Sequence, residues 1–172
     1  MGYRYTGIDI REEQVLENRR QADEILDSEI KPTWIVGDSA KALNAIDEES
    51  FDMVFTCPPY ANLEVYSDLE GDISNMDYED FRVAYRKIIM KSCDKLKNGG
   101  FAVVVIGEVR DKYGDYMGLV PETIDDFRLG GLHYYNEAIL VTPVASASMR
   151  ANGNMKTRKL VKTHQNILVF RK

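Results

Sequence analysis

The spacing of apolar residues changes several times along the chain, and each change marks an element. Tyr3 to Ile10 alternates apolar and polar positions and ends at an acidic residue, which predicts a strand. From Arg11 to Asp27 the spacing predicts a polar helix with Val15, Ala22, Ile25 and Leu26 on its inner side. Trp34-Ile35-Val36 is a short second strand that stops at Gly37-Asp38-Ser39. A short helix through Ala40, Leu43 and Ile46 leads to a third, buried strand beginning Phe51-Asp52-Met53-Val54. Residues 61–76 lack a period, carry Gly71, Ser74 and Asn75, and read as a loop long enough to cover a site.

Asp77 is placed to cap a long helix whose inner face carries Phe81, Ala84, Tyr85, Ile88, Ile89 and Leu96, with Asn98-Gly99-Gly100 as its stop. Phe101 to Ile106 is continuously apolar, as a strand buried on both faces would be. Pro121 to Arg128 predicts a short helix ending at Gly130-Gly131, followed by strands over His133 to Val141 and Gln165 to Phe170. Between those strands, Ser146 to Lys156 is rich in Ala, Ser, Asn and Gly and reads as flexible. Alternating strands and helices of this kind give an α/β sandwich, and 172 residues fit one domain.

Composition narrows this little, but charge distribution adds something. Residues 143–172 carry Arg150, Lys156, Arg158, Lys159, Lys162, Arg171 and Lys172 with no acidic residue, although the whole chain is −6. Such a basic segment can draw in a phosphate backbone that the acidic remainder repels, or it can be a solvated face with no partner. The segment 143–162, with Arg150, Lys156, Arg158 and Lys159, is the candidate nucleic-acid contact. No apolar run reaches the ~20 residues that cross a bilayer, so no membrane partner is expected. Cys57 and Cys93 match no metal-ligand spacing, and reduced thiols fit a cytoplasmic protein.

The most informative residues are Phe55-Thr56-Cys57-Pro58-Pro59-Tyr60. Two prolines cannot continue a sheet, so the chain leaves the third strand as a stiff corner at the edge where open α/β sheets bind ligands. A tyrosine there can stack on a flat base, while the bland alternative is a Pro-Pro turn beside a buried cysteine. The corner resembles the (Asp/Asn/Ser)-Pro-Pro-aromatic signature of the S-adenosylmethionine-dependent DNA amino-methyltransferases, which act on cytosine N4 or adenine N6. Its nearest form is Thr-Ser-Pro-Pro-Tyr, with Cys57 here in place of serine. The ending Lys162 to Lys172 also resembles that family's last strand, and the resemblance covers nearly the whole chain.

The resemblance implies a Rossmann-like class I methyltransferase sandwich whose final strand runs antiparallel. It implies that Asp9 accepts from the cofactor ribose, that Ile10 packs on its adenine, and that Asp38 with Ser39 meets the adenine amino group. Read as residues alone, either aspartate could equally be a helix cap. In the family a further strand and a glycine-rich turn precede the Gly7-Ile8-Asp9-Ile10 strand and lie centrally, beside the Pro-Pro strand. No Gly-x-Gly matches it here, so the expectation is a fold lacking its first central strand, roughly 20 residues. The chain would then be a fragment, be completed by a second copy or partner chain, or be a catalytically dead relative.

The implied chemistry is methylation of an exocyclic amine. Cys57 and the Pro58 carbonyl would accept from that amine, Pro59 would fix the loop, and Tyr60 would stack on a flipped base. A thiol accepts hydrogen bonds weakly, which favours the cytosine N4 type, where serine is common. A covalent cysteine mechanism is disfavoured because Cys57 precedes its prolines. DNA is the expected partner, enzymes of this small type are often borne by phages and mobile elements, and the resemblance implies a restriction-modification context. RNA methylation and non-catalytic nucleic-acid binding are the alternatives.

Overall fold

A computed structural model describes residues 3–27, 29–142 and 145–172; Pro143 and Val144, the start of the basic segment, lie outside the described residues. The chain divides into two compact units: residues 1–47 with 61–92, and residues 48–60 with 93–172.

In the first unit, β1 (Thr6–Asp9) and β2 (Thr33–Val36) pair in parallel, Asp9 opposite Val36. The glycine in β1 answers to its neighbour. A Cβ at Gly7 would sit 2.2 Å from the Trp34 ring, which lies across it from β2. Helix α1 (Glu12–Ile25) joins the strands, with Glu12 and Glu13 in its first turn, where carboxylates favour the helix dipole. Of its expected inner residues, Val15 is fully buried, but Ile25 and Leu26 are exposed. The helix ends at Ile25, so Leu26 falls just outside it, and Ile25 on its last turn faces away from the buried Val15 side.

α2 (Ser39–Ala42) is capped by Asp38, and a 3-10 turn over Leu43–Ala45 continues it. The loop at 61–76 contains two more 3-10 turns, Ala61–Leu63 and Ile73–Asn75. Helix α3 (Tyr78–Lys95) begins under the expected Asp77 cap, whose Oδ1 accepts from the Asp80 amide at 3.0 Å. Phe81, Tyr85 and Ile89 are its buried face, and Phe81 stacks on Tyr85 with ring centroids 5.4 Å apart.

The second unit is built on a four-stranded sheet, order β3-β4-β6-β5, made of β3 (Phe51–Thr56), β4 (Leu96–Ile106), β5 (His133–Val141) and β6 (His164–Arg171). β3 and β4 are parallel, while β6 runs antiparallel to both β4 and β5, as expected of the last strand. Asn98-Gly99-Gly100 does not stop α3. The helix ends at Lys95, and these residues lie inside β4, where the register against β3 shifts and Gly99 has φ +80.

Helix α4 (Leu119–Leu129) packs Phe127 on Phe170 of β6 at 4.3 Å between centroids, over buried Ala102, Val104 and Leu168. The segment expected to be flexible is helix α5 (Ala145–Lys156). Its N-terminal half is made of Ala, Ser, Met and Arg, which tolerate helix, and Ala147 is buried. β1 and β3 are each terminal strands of their sheets.

Candidate functional site

Parallel pairing sets the carboxyl ends of β1 and β2 side by side, and this gathers Asp9, Ile10, Asp38 and Ser39 in the first unit. The Gly37 amide donates to the Asp9 carbonyl at 2.9 Å, so the two strand ends are tied directly. Both aspartates cap their own turns. Asp9 Oδ1 accepts from the Arg11 amide and Asp38 Oδ1 from the Ala40 amide, each at 2.8 Å. Asp9 Oδ2 accepts no hydrogen bond among the described residues. Asp38 Oδ2 lies 3.7 Å from Lys41 Nζ and 3.5 Å from where a Cβ at Gly71 would stand.

Gly71 has φ +91 and brings the 61–76 loop against Asp38. The rest of that loop is fixed from within. Asp72 accepts from Ser67 Oγ at 2.5 Å and from the Ser74 amide at 2.8 Å. Burial alone would raise the Asp72 pKa, but these hydrogen bonds and the nearby Arg11 charge outweigh it and hold the carboxyl below its ordinary value. The Arg11 guanidinium also lies over the Tyr66 ring at 5.8 Å. The loop thus folds over the strand ends that carry the two aspartates.

Cys57, Pro58, Pro59 and Tyr60 leave the carboxyl end of β3 in the second unit. Pro58 is buried, Pro59 and Tyr60 are half-buried, and the Cys57 thiol is exposed rather than packed as a small hydrophobe. Gln165, near the start of β6, donates its side-chain amide to the Tyr60 hydroxyl. Gly107, the residue after β4, lies under Tyr60. A Cβ there would stand 3.5 Å from the tyrosine oxygen and 3.8 Å from Lys162 Nζ. Burial lowers the Lys162 pKa, opposed by Glu108 and assisted by Arg110.

Gln165, Lys162 and Gly107 were not picked out as site residues from the sequence. Glutamine and lysine near a terminal strand carry no local signal, and only the sheet order brings them to Tyr60. His164 is exposed and pairs with Val141 at the far end of the β5–β6 ladder. Of the basic candidates, Arg150, Lys156 and Arg158 are exposed and Lys159 is half-buried. Among the described residues no cluster of His, Cys, Asp and Glu could hold a metal. No helix among them is long and apolar enough to cross a membrane.

Two carboxylates with spare acceptor capacity suit a ligand rich in hydroxyl and amino donors. A half-buried ring beside a glycine suits a flat one. No protein-family model matches this sequence, and no curated protein does. Solved structures do. A Thermus thermophilus protein assigned as a DNA modification methylase is 18% identical, with TM-score 0.60 over 99% of this chain and 53% of its own. The same protein has also been solved in complex with S-adenosyl-L-methionine. The PvuII cytosine-N4-specific DNA methyltransferase is 20% identical, with TM-score 0.61 over 80% of this chain and 48% of its own. A Methanosarcina mazei S-adenosylmethionine-dependent methyltransferase is 13% identical, with TM-score 0.60 over 99% and 82%. The chain spans about half the length of the two DNA methylases it matches. These likenesses show its fold: an α/β, Rossmann-like methyltransferase fold with an antiparallel final strand.

Proposed function

We propose that this chain is a DNA amino-methyltransferase domain that transfers a methyl group from S-adenosylmethionine to the exocyclic N4 of cytosine or N6 of adenine. The observation that carries the reading is the Pro-Pro corner at the end of β3, with Tyr60 held over Gly107 by Gln165, in a methyltransferase fold. Asp9 Oδ2 is the acceptor for ribose hydroxyls, Ile10 offers an apolar face to the adenine, and Asp38 and Ser39 meet its polar edge. The cofactor, once bound, supplies an electrophilic methyl group.

An exocyclic amine is a poor nucleophile because its lone pair is delocalised into the ring. The Pro58 carbonyl and the Cys57 sulfur accept from its hydrogens and favour a pyramidal nitrogen. Tyr60 holds the extruded base by stacking, worth ~1–3 kcal/mol, against an extrusion cost of a few kcal/mol. Arg150, Lys156, Arg158 and Lys159 engage the phosphates. The edges of β1 and of β3 that pair with nothing among the described residues each suit strand addition, from another segment or from a second copy or partner chain.

The test is transfer of labelled methyl from S-adenosylmethionine to duplex DNA, with the product nucleoside identified after digestion, and structured RNA as the comparison. Cys57→Ser should keep or raise turnover, because a hydroxyl accepts better than a thiol. Tyr60→Phe should retain base engagement and Tyr60→Ala should lose about tenfold or more, the scale of one stacked base. Abolished turnover in Cys57→Ser points instead to a thiolate nucleophile. DNA binding without transfer, even with a completing strand supplied, marks a non-catalytic relative.

A further inference from the structure

One element near the Pro-Pro corner has no role in the reading above. After Gly107 the chain turns sharply, Arg110 bridging Tyr116 and the Met117 amide donating to the Val109 carbonyl at 2.9 Å. Asp111 Oδ1 accepts from the amides of Tyr113, Gly114 and Asp115, at 2.9, 2.8 and 2.9 Å. Those amide bonds, with the charge of Lys159, hold its carboxyl below its ordinary value although burial opposes them. Arg110 adds a bond to the Gly114 carbonyl. The turn is therefore fixed by backbone bonds, by Asp111 and by Arg110.

The turn also carries two tyrosines and two cations, Arg110 and Lys112. Tyr113 is 76% exposed and Tyr116 53%, so neither ring is buried in a core. The Arg110 guanidinium covers one face of Tyr116 at 3.8 Å, and Lys112 Nζ lies 5.1 Å from the centre of the Tyr113 ring. A third cation comes from far along the sequence. Helix α5 ends with the Arg158 amide donating to the Met155 carbonyl and the Lys159 amide donating to the Asn154 carbonyl at 2.8 Å. This leaves Arg158 in the left-handed region, φ +57, and fixes Lys159 against Gly114, where a Cβ would meet Lys159 Cε at 2.3 Å. Three carboxylates oppose these charges. Asp111 is taken up by its three amides, and Asp115 is exposed. Glu108 accepts from the Gly118 and Val120 amides at the start of α4.

Flat rings beside ammonium and guanidinium groups suit a polymer that alternates bases with phosphates. The turn follows Gly107, which lies beside the Tyr60 hydroxyl, and Lys162 is near both Gly107 and Arg110.

We infer that the turn at 110–116 is a second DNA-contacting element, in which Lys112, Lys159 and Arg158 hold the phosphates flanking the target and Tyr113 stacks on an adjacent unpaired base. This inference rests on DNA being the partner. The experiment is fluorescence anisotropy of the full 172-residue chain with labelled duplex DNA, fully paired or containing one unpaired cytosine, across a salt series.

The Lys112→Met, Lys159→Met double variant keeps the methylenes packed on Gly114. It should weaken binding to both duplexes and make the salt slope shallower by about 2. Tyr113→Ala should weaken binding to the unpaired-cytosine duplex about five- to tenfold, with the salt slope unchanged and the paired duplex within about twofold, as loss of one stacked base implies. Wild-type affinity and slope in both variants overturn the inference while leaving DNA as the partner. A wild-type chain that binds neither duplex overturns both. Equal losses in Lys87→Met, an exposed lysine on α3, overturn the assignment to this turn.

Discussion

The two cysteines have opposite surroundings, and this separates their chemistry. Cys93 is buried, and burial, with Asp94 adding to it, pushes its thiol up to about 12, so it stays protonated and inert. Cys57 is exposed on the corner that ends β3. Alkylation at pH 8 should label Cys57 alone in the folded chain and both cysteines after denaturation, as read by intact mass. Two labels without denaturant would mean that the second unit opens readily. At the turn, Asp111 has a folded pKa below its ordinary value of 3.8 because it accepts three amide bonds. Its stabilisation is complete above that value and is lost as pH falls through the lower, folded one. Protection of the Tyr113, Gly114 and Asp115 amides from hydrogen exchange should therefore persist at pH 5 and be lost on acidification below the ordinary aspartate value. Asp111→Asn should show the weaker protection at both.

Among the elements, helix α5 departs furthest from expectation. Asn152-Gly153-Asn154 looks like a breaker, yet the helix runs through it and closes two residues past Lys156. The left-handed position that closes it is occupied by Arg158, where an L side chain costs roughly 1–2 kcal/mol that glycine would not. Arg158→Gly should raise stability toward chemical denaturant by up to about 1 kcal/mol while lowering DNA affinity, because the same side chain is a candidate phosphate contact. A fall in both quantities would mean that the arginine side chain carries a packing role. Other elements followed local cues closely. His133 to Val141 was legible from its pattern, and the Asp77 cap from residue type alone. The end of α1 was not, because whether Ile25 and Leu26 are worth burying depends on what lies beside them.

On the scale of the whole molecule, β1 and β3 are the informative strands. Phe51-Asp52-Met53-Val54-Phe55 reads as a buried strand, yet Met53 is 53% exposed and Phe55 64%, and one edge of β3 pairs with nothing among the described residues. An apolar edge strand is a template for pairing with another chain. Phe55→Lys should reduce concentration-dependent self-association, measured by light scattering, while changing stability by less than about 0.5 kcal/mol. Unchanged association would place the contact elsewhere.

Sequence by itself determined what local chemistry can carry: the alternation of strands and helices, the rigid Pro-Pro corner, and the acidic residues that end β1 and follow β2. These depend on period, on proline's missing amide and on capping side chains, all fixed within a few residues. Tertiary structure alone decided the rest. Gln165 reaches Tyr60 across 105 positions. Lys159 lies on Gly114 because a helix end and a turn converge, and Gly7 is required because Trp34 crosses it from the next strand. Contacts of that kind are set by strand order and register, to which no local pattern of hydrophobic and polar residues gives access.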